Sequence, residues 1–387
     1  VTKEYYINDA GNQINNLGMS LKERYKGLCG LKENMPEGGY YGNEIIDIAK
    51  YIKEKYSDKK LDEDIEYFKK VAVDYLLDII KKDLSDFKVT FDVWTSEKDI
   101  RSKGRIEESI KILDEKGLVY KKDDALFLKT TDYGDDKDRV LVKTDGSYTY
   151  LVPDIAYHLD KFDRGFDYLV DVFGADHHSY VSRLKASIEA LGYDKDKLEV
   201  RLLQMVRLLR DGEVVKMSKR AGGNITIREL VDEIGVDAAR YFFASRSLDG
   251  QMDFDINLAL KKSNENPFFY VGYAHARICS IINEAALKNI DFATTYEKIY
   301  DVDSKALLLK VYDFSNIVEV SSSKKEPHLV TNYLYELASM FHNYYAKHRI
   351  LTDDLDLSSQ RLSLIKAVAI TINNGLNLIG VDAPNKM

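Results

Sequence analysis

Cysteine is scarce in this sequence, which holds only Cys29 and Cys279 among 387 residues. Two cysteines without a CxxC pair fit a reducing compartment better than a disulfide framework. The seven histidines show no zinc-ligand spacing beside cysteine, so we expect no bound zinc and no other resident metal. These absences predict a cytoplasmic protein.

Long hydrophobic runs are also missing. No segment reaches the roughly 20 apolar residues that a membrane-spanning helix needs, and residues 1–4 do not resemble a signal peptide. With 45% hydrophobic and 31% charged residues, the composition is typical of a soluble globular protein. We therefore expect no membrane association, and the length allows two or three domains.

The sequence also lacks an excess of positive charge, because its formal net charge is −8. This argues against wholesale wrapping of nucleic acid, which depends on counterion release by Lys and Arg. A local basic region remains between Arg201 and Arg228. By itself it fits a solvated face as well as a nucleic-acid contact.

Apolar spacing predicts an α/β protein over the first two thirds of the chain. We expect a strand at 3–7, helices at 11–24, 62–84 and 105–115, and short strands at 125–128, 139–142 and 148–151, with a loop at 34–43. A helix at 155–162, a buried strand at 168–173, a helix at 180–191 and a second strand at 200–209 follow. The last three form a βαβ unit of a parallel sheet.

Beyond Phe254 only helical stripes continue, at 268–286, 304–319, 330–349 and 362–378. Residues 321–325 read as a loop between two of these helices. The pattern predicts a separate all-α domain over residues 260–387.

A basic loop, Lys216-Met217-Ser218-Lys219-Arg220, follows the second predicted βαβ strand. Two ammonium groups at the carboxyl end of a parallel strand suit a polyphosphate, because ligands bind at that edge of such sheets. A plain basic surface loop is the alternative. The loop resembles the KMSKS signature of class I aminoacyl-tRNA synthetases. The resemblance implies that Lys216 and Lys219 are catalytic and that residues 216–219 bind ATP, with Lys219 stabilising charge that develops at the α-phosphate.

The segment Tyr148–Tyr157 resembles the part of arginyl-tRNA synthetases that selects arginine. It implies that Asp154 meets the substrate guanidinium and that Tyr150 packs beside it. A carboxylate pairs with a planar guanidinium through two hydrogen bonds, which lysine cannot imitate. Without the motif, Asp154 would read as a helix N-cap.

The segment Phe173–His178 ends the predicted buried strand. Gly174 lets the backbone approach a ligand, and Asp176 can accept hydrogen bonds from ribose hydroxyls. The resemblance places His177 beside the arginine site and assigns Gln204, Met205 and Val206 to the adenine of ATP. A metal on the histidine pair is the alternative, but adjacent side chains diverge and no third ligand lies near.

The segment Ser263–Arg277 resembles the entry to the anticodon-binding helical bundle of arginyl-tRNA synthetases. Aromatic rings beside basic groups suit the stacking of single-stranded bases. We expect Arg277, Tyr344 and Arg349 to lie nearest the tRNA. The alternative is that these aromatic residues form the core of the bundle.

One departure from the family stands out. Its first catalytic signature, of His-x-Gly-His type, is absent, and the first histidine is His158. The expected fold is therefore a Rossmann-like nucleotide-binding domain that is incomplete at its N-terminus, followed by the helical bundle. Residues 1–30 would be a remnant of its first half, 31–145 a mostly helical insertion, 146–259 its second half and 260–387 the anticodon-binding domain.

The resemblance implies an arginine–tRNA ligase that forms arginyl-adenylate from arginine and ATP, with Mg²⁺ accompanying the ATP, and then charges arginine tRNA. It implies a monomeric parent, of which this chain is expected to be an inactive fragment. One alternative is a catalytically dead, synthetase-derived protein that only binds tRNA. Another is a different class I synthetase, such as a cysteinyl enzyme, which the missing zinc ligands and the Tyr150–Asp154 pair oppose.

Overall fold

The computed structural model describes residues 1–215 and 225–387, which form two compact units. The first unit comprises Val1–Ser85 and Val89–Leu203, and the second comprises Asp86–Lys88 and Gln204–Met387. The predicted catalytic residues Lys216 and Lys219 and the predicted ATP-binding residues Met217 and Ser218 lie outside the described part of the chain. No helix within the described ranges combines the length and the apolar character that crossing a membrane requires.

The first unit mixes helices with short strands. Its elements are β1 (Glu4–Ile7), α1 (Asn12–Leu28), α2 (Asn43–Tyr56), α3 (Ile65–Asp86), β2 (Val93–Ser96), α4 (Glu97–Ser102), α5 (Arg105–Glu115), β3 (Val119–Lys122), β4 (Ala125–Leu128), β5 (Arg139–Val142), α6 (Leu151–Asp163), β6 (Leu169–Gly174), α7 (Tyr180–Leu191) and β7 (Leu198–Leu203). Strand β1 pairs in parallel with β2, and β6 with β7. Strands β3, β4 and β5 form an antiparallel sheet.

Two hydrophobic cores stabilise this unit. One packs α5, α6 and α7 against β4, β5, β6 and β7, and Leu184 and Ile188 are fully buried in it. The other lies among α1, α2 and α3. In α2, residues Ile45, Ile48, Ala49 and Ile52 are all 0–1% exposed and recur at helical spacing. No element was predicted at these positions, although the helical spacing of apolar residues is visible in the sequence.

The second unit begins with a small sheet and continues as a helical bundle. Its elements are β8 (Val206–Arg210), β9 (Glu213–Val214), α8 (Ile227–Ile234), α9 (Val236–Ala244), β10 (Met252–Asp255), α10 (Ile256–Leu260), α11 (Pro267–Leu287), α12 (Val302–Tyr312), α13 (Phe314–Lys324), α14 (His328–Lys347) and α15 (Leu355–Leu378). Strand β8 pairs in parallel with β10 and antiparallel with β9. Asn266 caps α11, whose first residue is Pro267.

The core of the second unit is continuous from the α8–β10 region into the bundle. Leu230, Tyr241 and Phe254 belong to the same buried cluster as Phe341 and Ile365 of the bundle helices. Members of this cluster lie on both sides of residue 260, where the sequence predicted a domain boundary. The strand and short helices before residue 260 therefore share their packing with the bundle.

Phe254→Ala is expected to destabilise the second unit by about 3–5 kcal/mol, the usual cost of truncating a buried phenylalanine. The ring is 0% exposed and contacts Phe242 and Phe243, with centroids 5.4 and 5.2 Å away. Urea unfolding monitored by circular dichroism measures the change. Phe292→Ala, at a ring that is 39% exposed, is the control and should cost far less. Equal losses for both variants would contradict the shared core.

Several predicted elements need correction. The strand predicted at 148–151 is not formed, because only Tyr148 bridges to Val142 and α6 begins at Leu151. The strand predicted at 200–209 is two strands, since Gln204 N–H donates to the Leu248 carbonyl, 2.9 Å away, instead of continuing a ladder. The helix predicted at 304–319 breaks at Asp313, and α13 runs through the predicted loop to Lys324.

Candidate active site

A cavity of about 930 Å³ opens in the first unit where several of its elements end. The chain after β1, the first residue of α4, the β4–β5 sheet and the first turns of α6 and α7 contribute to its wall. The lining residues are Tyr6, Asn8, Gln13, Glu97, Phe127, Lys137, Asp138, Arg139, Val140, Thr149, Tyr150, Leu151, Pro153, Asp154, Phe173, His177, Tyr180 and Arg183. Predicted arginine-binding residues Tyr150, Asp154 and His177 are thus brought to one cavity.

Asp154 is the fourth residue of α6, which starts at Leu151 with Tyr150 at the N-cap position. Asp154 is therefore not the N-cap that the sequence allowed as an alternative. Pro153 is tolerated in this first turn because the amide hydrogen it lacks would have no partner inside the helix. The early helix start places Asp154 on the cavity wall.

The Asp154 carboxylate is partly buried and accepts a short hydrogen bond from the Tyr180 hydroxyl. Burial raises the pKa of this carboxyl, and it outweighs the opposing effects of the Tyr180 hydrogen bond and the nearby His158. No Lys or Arg of the described residues forms an ion pair with it. Burying an ionised carboxylate without a paired cation costs free energy, which binding of a cationic group would recover.

The other carboxylates on the wall, Glu97 and Asp138, and the Arg139 guanidinium already have partners. Glu97 accepts from the Arg101 Nε at 2.8 Å, and Arg139 donates from Nε to Asp135 at 2.6 Å. Asp138 accepts from the Thr131 hydroxyl at 2.7 Å. Asp154 is thus the lining carboxylate that combines burial with the lack of an ion-paired Lys or Arg among the described residues.

Aromatic groups surround Asp154. Tyr150 is 89% exposed at the mouth of the cavity. The His177 ring lies 5.5 Å from the Phe173 ring and 6.1 Å from the Tyr180 ring, centroid to centroid. An exposed tyrosine and a half-exposed histidine leave flat surfaces against which a planar group can pack.

The described residues that were predicted to bind ATP do not line this cavity. Gly174 ends β6, and Asp176 follows it with a side chain that is 84% exposed; neither lines the cavity. Gln204, Met205 and Val206 belong to the second unit, where Met205 is 77% exposed and Val206 begins β8. The predicted nucleotide-binding residues thus divide between the two units.

Residues predicted to lie near tRNA are found in the bundle. Arg277 donates to the Tyr273 hydroxyl at 2.9 Å, with its guanidinium carbon 4.9 Å from the Tyr345 ring centroid. Arg349 is exposed. Tyr344 needs correction: it is 2% exposed, and its hydroxyl lies 3.1 Å from the Ser304 hydroxyl, so its ring offers no face to a base. Tyr344 is part of the bundle core, as the alternative interpretation of these aromatic residues predicted.

Comparison with known proteins identifies the family. Residues 6–254 match the family of class I (R) tRNA synthetase catalytic domains, and residues 271–387 match the DALR anticodon-binding domain. The chain belongs to the class I arginyl-tRNA synthetases. Members of this family are aminoacyl-tRNA ligases that use ATP. The predicted α/β domain followed by a helical bundle is confirmed.

Individual relatives agree with this assignment. The chain is 50% identical over 399 residues to the arginine–tRNA ligase of Bacillus subtilis strain 168, covering 100% of this chain and 71% of that protein. It is 48% identical over 394 residues to arginine–tRNA ligase 1 of Halalkalibacterium halodurans, with the same coverage. A crystal structure of a putative arginyl-tRNA synthetase from Campylobacter jejuni superposes with a TM-score of 0.92 at 34% identity, over 100% of this chain and 85% of that one.

Glu97 and Tyr6 also line the cavity, and neither was predicted from the sequence. Glu97 is the first residue of α4 and is 8% exposed. Burial is the main cause that raises the pKa of Tyr6, and the Glu97 and Asp154 carboxylates raise this pKa further. Two carboxylates and a phenol therefore lie close together. Ser96, which caps α4, marked the helix start, but no local pattern distinguishes Glu97 from an ordinary first-turn acid.

Proposed function

We propose that this chain belongs to an enzyme that activates arginine and joins it to arginine tRNA, and that the cavity of the first unit holds the arginine side chain. The observation that carries the proposal is the partly buried Asp154 carboxylate, which has no cation partner among the described residues. A guanidinium supplies the missing charge and fits a carboxylate through two parallel hydrogen bonds.

Neighbouring groups support recognition of arginine rather than lysine. The Tyr180 hydroxyl occupies one oxygen of Asp154 and orients the carboxylate. Glu97 adds a second carboxylate on the same cavity, and Tyr150 offers a ring face to the planar guanidinium. We propose that His177 closes the site on the side of Phe173. A lysine ammonium is compact and cannot contact two carboxylates and a ring face in the same planar way.

For ATP, we propose contacts from Gly174 and Asp176 to the ribose and from Gln204, Met205 and Val206 to adenine. Lys216, Met217, Ser218 and Lys219 would bind the phosphates, with Lys216 and Lys219 as the catalytic pair. Magnesium enters with the nucleotide, held by phosphate oxygens. Zinc is not part of the proposal, because Cys29 and Cys279 belong to different units and both are free thiols.

For tRNA, we propose contacts from Arg277 and Arg349 of the bundle. Tyr296, Tyr300 and Tyr312, which are 49%, 62% and 81% exposed, are further candidates for stacking on splayed bases. These three tyrosines were not predicted from the sequence. We also propose that the parent enzyme is a monomer, and we place it in the cytoplasm on the basis of the two free cysteines.

Isothermal titration of the purified chain with arginine, lysine and citrulline tests the arginine site. Citrulline has the shape of arginine but no charge, so its failure to bind would show that the site requires a cation. We expect binding of arginine alone. Equal binding of arginine and citrulline, or no binding of arginine together with retained tRNA binding, would favour a synthetase-derived protein that only binds tRNA.

Arginine binding is expected to weaken as the pH falls. Only the ionised Asp154 carboxylate pairs with the guanidinium, and burial raises the pKa of this group above the ordinary carboxyl value. Affinity should therefore decline about tenfold per pH unit once the pH is below that pKa. Titrations from about pH 8 downward measure this, and the residual binding of Asp154→Asn should not show the decline.

A further inference from the structure

His158, Lys161 and Asp171 form a buried cluster of ionisable side chains next to Asp154, on the side away from the cavity. His158, on the next turn of α6, is 2% exposed, and its Nδ1 is 2.7 Å from the Asp154 carbonyl oxygen. Its Nε2 is 2.7 Å from the Asp171 carboxylate in β6. Lys161, 8% exposed, donates to the other Asp171 oxygen at 3.0 Å. The cluster belongs wholly to the first unit and does not line the cavity.

The geometry determines the protons of His158. A peptide carbonyl only accepts hydrogen bonds, so the 2.7 Å contact requires a proton on Nδ1. Asp171 is ionised whatever the charge of His158, because the Lys161 ammonium forms an ion pair with its other oxygen at 3.0 Å. An ionised carboxylate also only accepts, so Nε2 carries a proton as well. The 3.4 Å separation from the Lys161 Nζ is too long to compete.

His158 is therefore an imidazolium, and the cluster of two cations and one carboxylate has a net charge of +1. This charge lies one helical turn from Asp154, and the ring is bonded to the backbone of Asp154 itself. The titratable groups that act most on Asp154 are Tyr180 from α7, His158 from α6, Asp171 from β6 and Glu97 from α4. Glu97 and Asp171 disfavour its ionisation, and His158 is the cation among them that favours it. Tyr6 of β1 also interacts with it, and Arg183 of α7 lines the same cavity.

We infer that His158, with Asp171 and Lys161 behind it, is a positioning residue for arginine recognition that keeps the Asp154 carboxylate ionised and oriented towards the cavity. The inference rests on the proposed role of Asp154 in arginine binding. His158 does not touch arginine. It acts by supplying a fixed positive charge that offsets the burial of the Asp154 carboxylate until the guanidinium arrives.

The test is arginine affinity of the full chain at two pH values, measured by calorimetry. His158→Gln keeps a donor for Asp171 and removes the charge. We expect it to weaken arginine binding by up to about tenfold at a pH below the pKa of Asp154, as for a rise of one pKa unit in that group, and by less than about twofold near pH 8.5. His275→Gln, at a 7% exposed histidine bonded to the Pro384 carbonyl at 2.9 Å, is the matched control and should change neither value.

A purely structural role of His158 would weaken binding equally at both pH values, and that result overturns the inference. If His158→Gln does not fold, the Lys161 variants decide. Lys161→Gln removes one cation and should give a smaller loss confined to acid pH, while Lys161→Arg keeps the charge and should bind like the wild type. Equal losses from both, or a loss from Lys161→Gln that is the same at each pH, also overturn it.

Asp154→Asn separates this inference from the proposed function. If Asp154→Asn leaves arginine affinity unchanged, the proposed site is wrong and the inference falls with it. If arginine binding depends on Asp154 but the effect of His158→Gln does not depend on pH, only the positioning role of His158 is wrong.

Discussion

Asp154→Asn is expected to weaken arginine binding by about 3–5 kcal/mol, which corresponds to a hundredfold loss of affinity or more. The variant removes the charge that pairs with the guanidinium and leaves that guanidinium in a partly buried cavity without a neutralising partner. It keeps the size of the side chain and one oxygen to accept from Tyr180. Titration of the chain with arginine measures the loss, and ATP affinity should change by less than about twofold.

Asp160→Asn is the matched control for this experiment. Asp160 lies on the same helix, about three turns beyond the N-cap, but it pairs with Arg164 at 2.9 Å and does not line the cavity. Its replacement removes an equal charge from α6 without touching the proposed site. A comparable loss of arginine affinity from both variants, or an equal loss for ATP and arginine, would refute the assignment of Asp154.

Local patterns were sufficient for much of this fold and for part of the site. The apolar run of β6 and the stripes of α5, α7 and α11 lie within one or two residues of the predicted bounds, because burial of one face imposes a regular spacing on each. Tyr150 and Asp154 were predictable as a pair because they are only four positions apart in the sequence. A short segment can carry a recognisable motif only when its members are close in sequence.

Long-range contacts explain what the sequence did not reveal. Glu97 and Tyr6 join Asp154 only through packing of α4 and β1 near α6, and neither has a local signature. Tyr344 fits a tRNA contact in sequence, but only the bundle shows that its ring is buried. The break between β7 and β8 depends on a hydrogen bond from Gln204 to Leu248, 44 residues later in the chain. A one-dimensional pattern cannot contain this partner.

The proposed electrostatic role of His158 likewise could not be predicted from local sequence patterns. In sequence it is a lone histidine on the apolar face of a helix, and the usual interpretation is a satisfied core residue. Its partners, Asp171 in β6 and the Asp154 carbonyl, show that it carries two protons. The functional meaning of a buried polar residue therefore depends on which acceptors tertiary packing supplies.

Lys219→Ala is expected to lower the rate of arginyl-adenylate formation by about 100- to 1,000-fold, the typical effect of losing one group that stabilises transition-state charge. Arginine affinity should stay within about twofold, because the proposed contact of Lys219 is with the α-phosphate and not with Asp154 or its cavity.

The rate is measured by pyrophosphate exchange with saturating arginine and tRNA, in a full-length enzyme of this family that carries this chain. Lys262→Ala, at an exposed lysine after α10, is the control and should leave the rate unchanged. Because the interaction strengthens as negative charge develops, the loss belongs in the turnover number rather than in the Michaelis constant for ATP. Normal exchange by Lys219→Ala, or a loss confined to the ATP Michaelis constant, would mean that this lysine is not the transition-state contact.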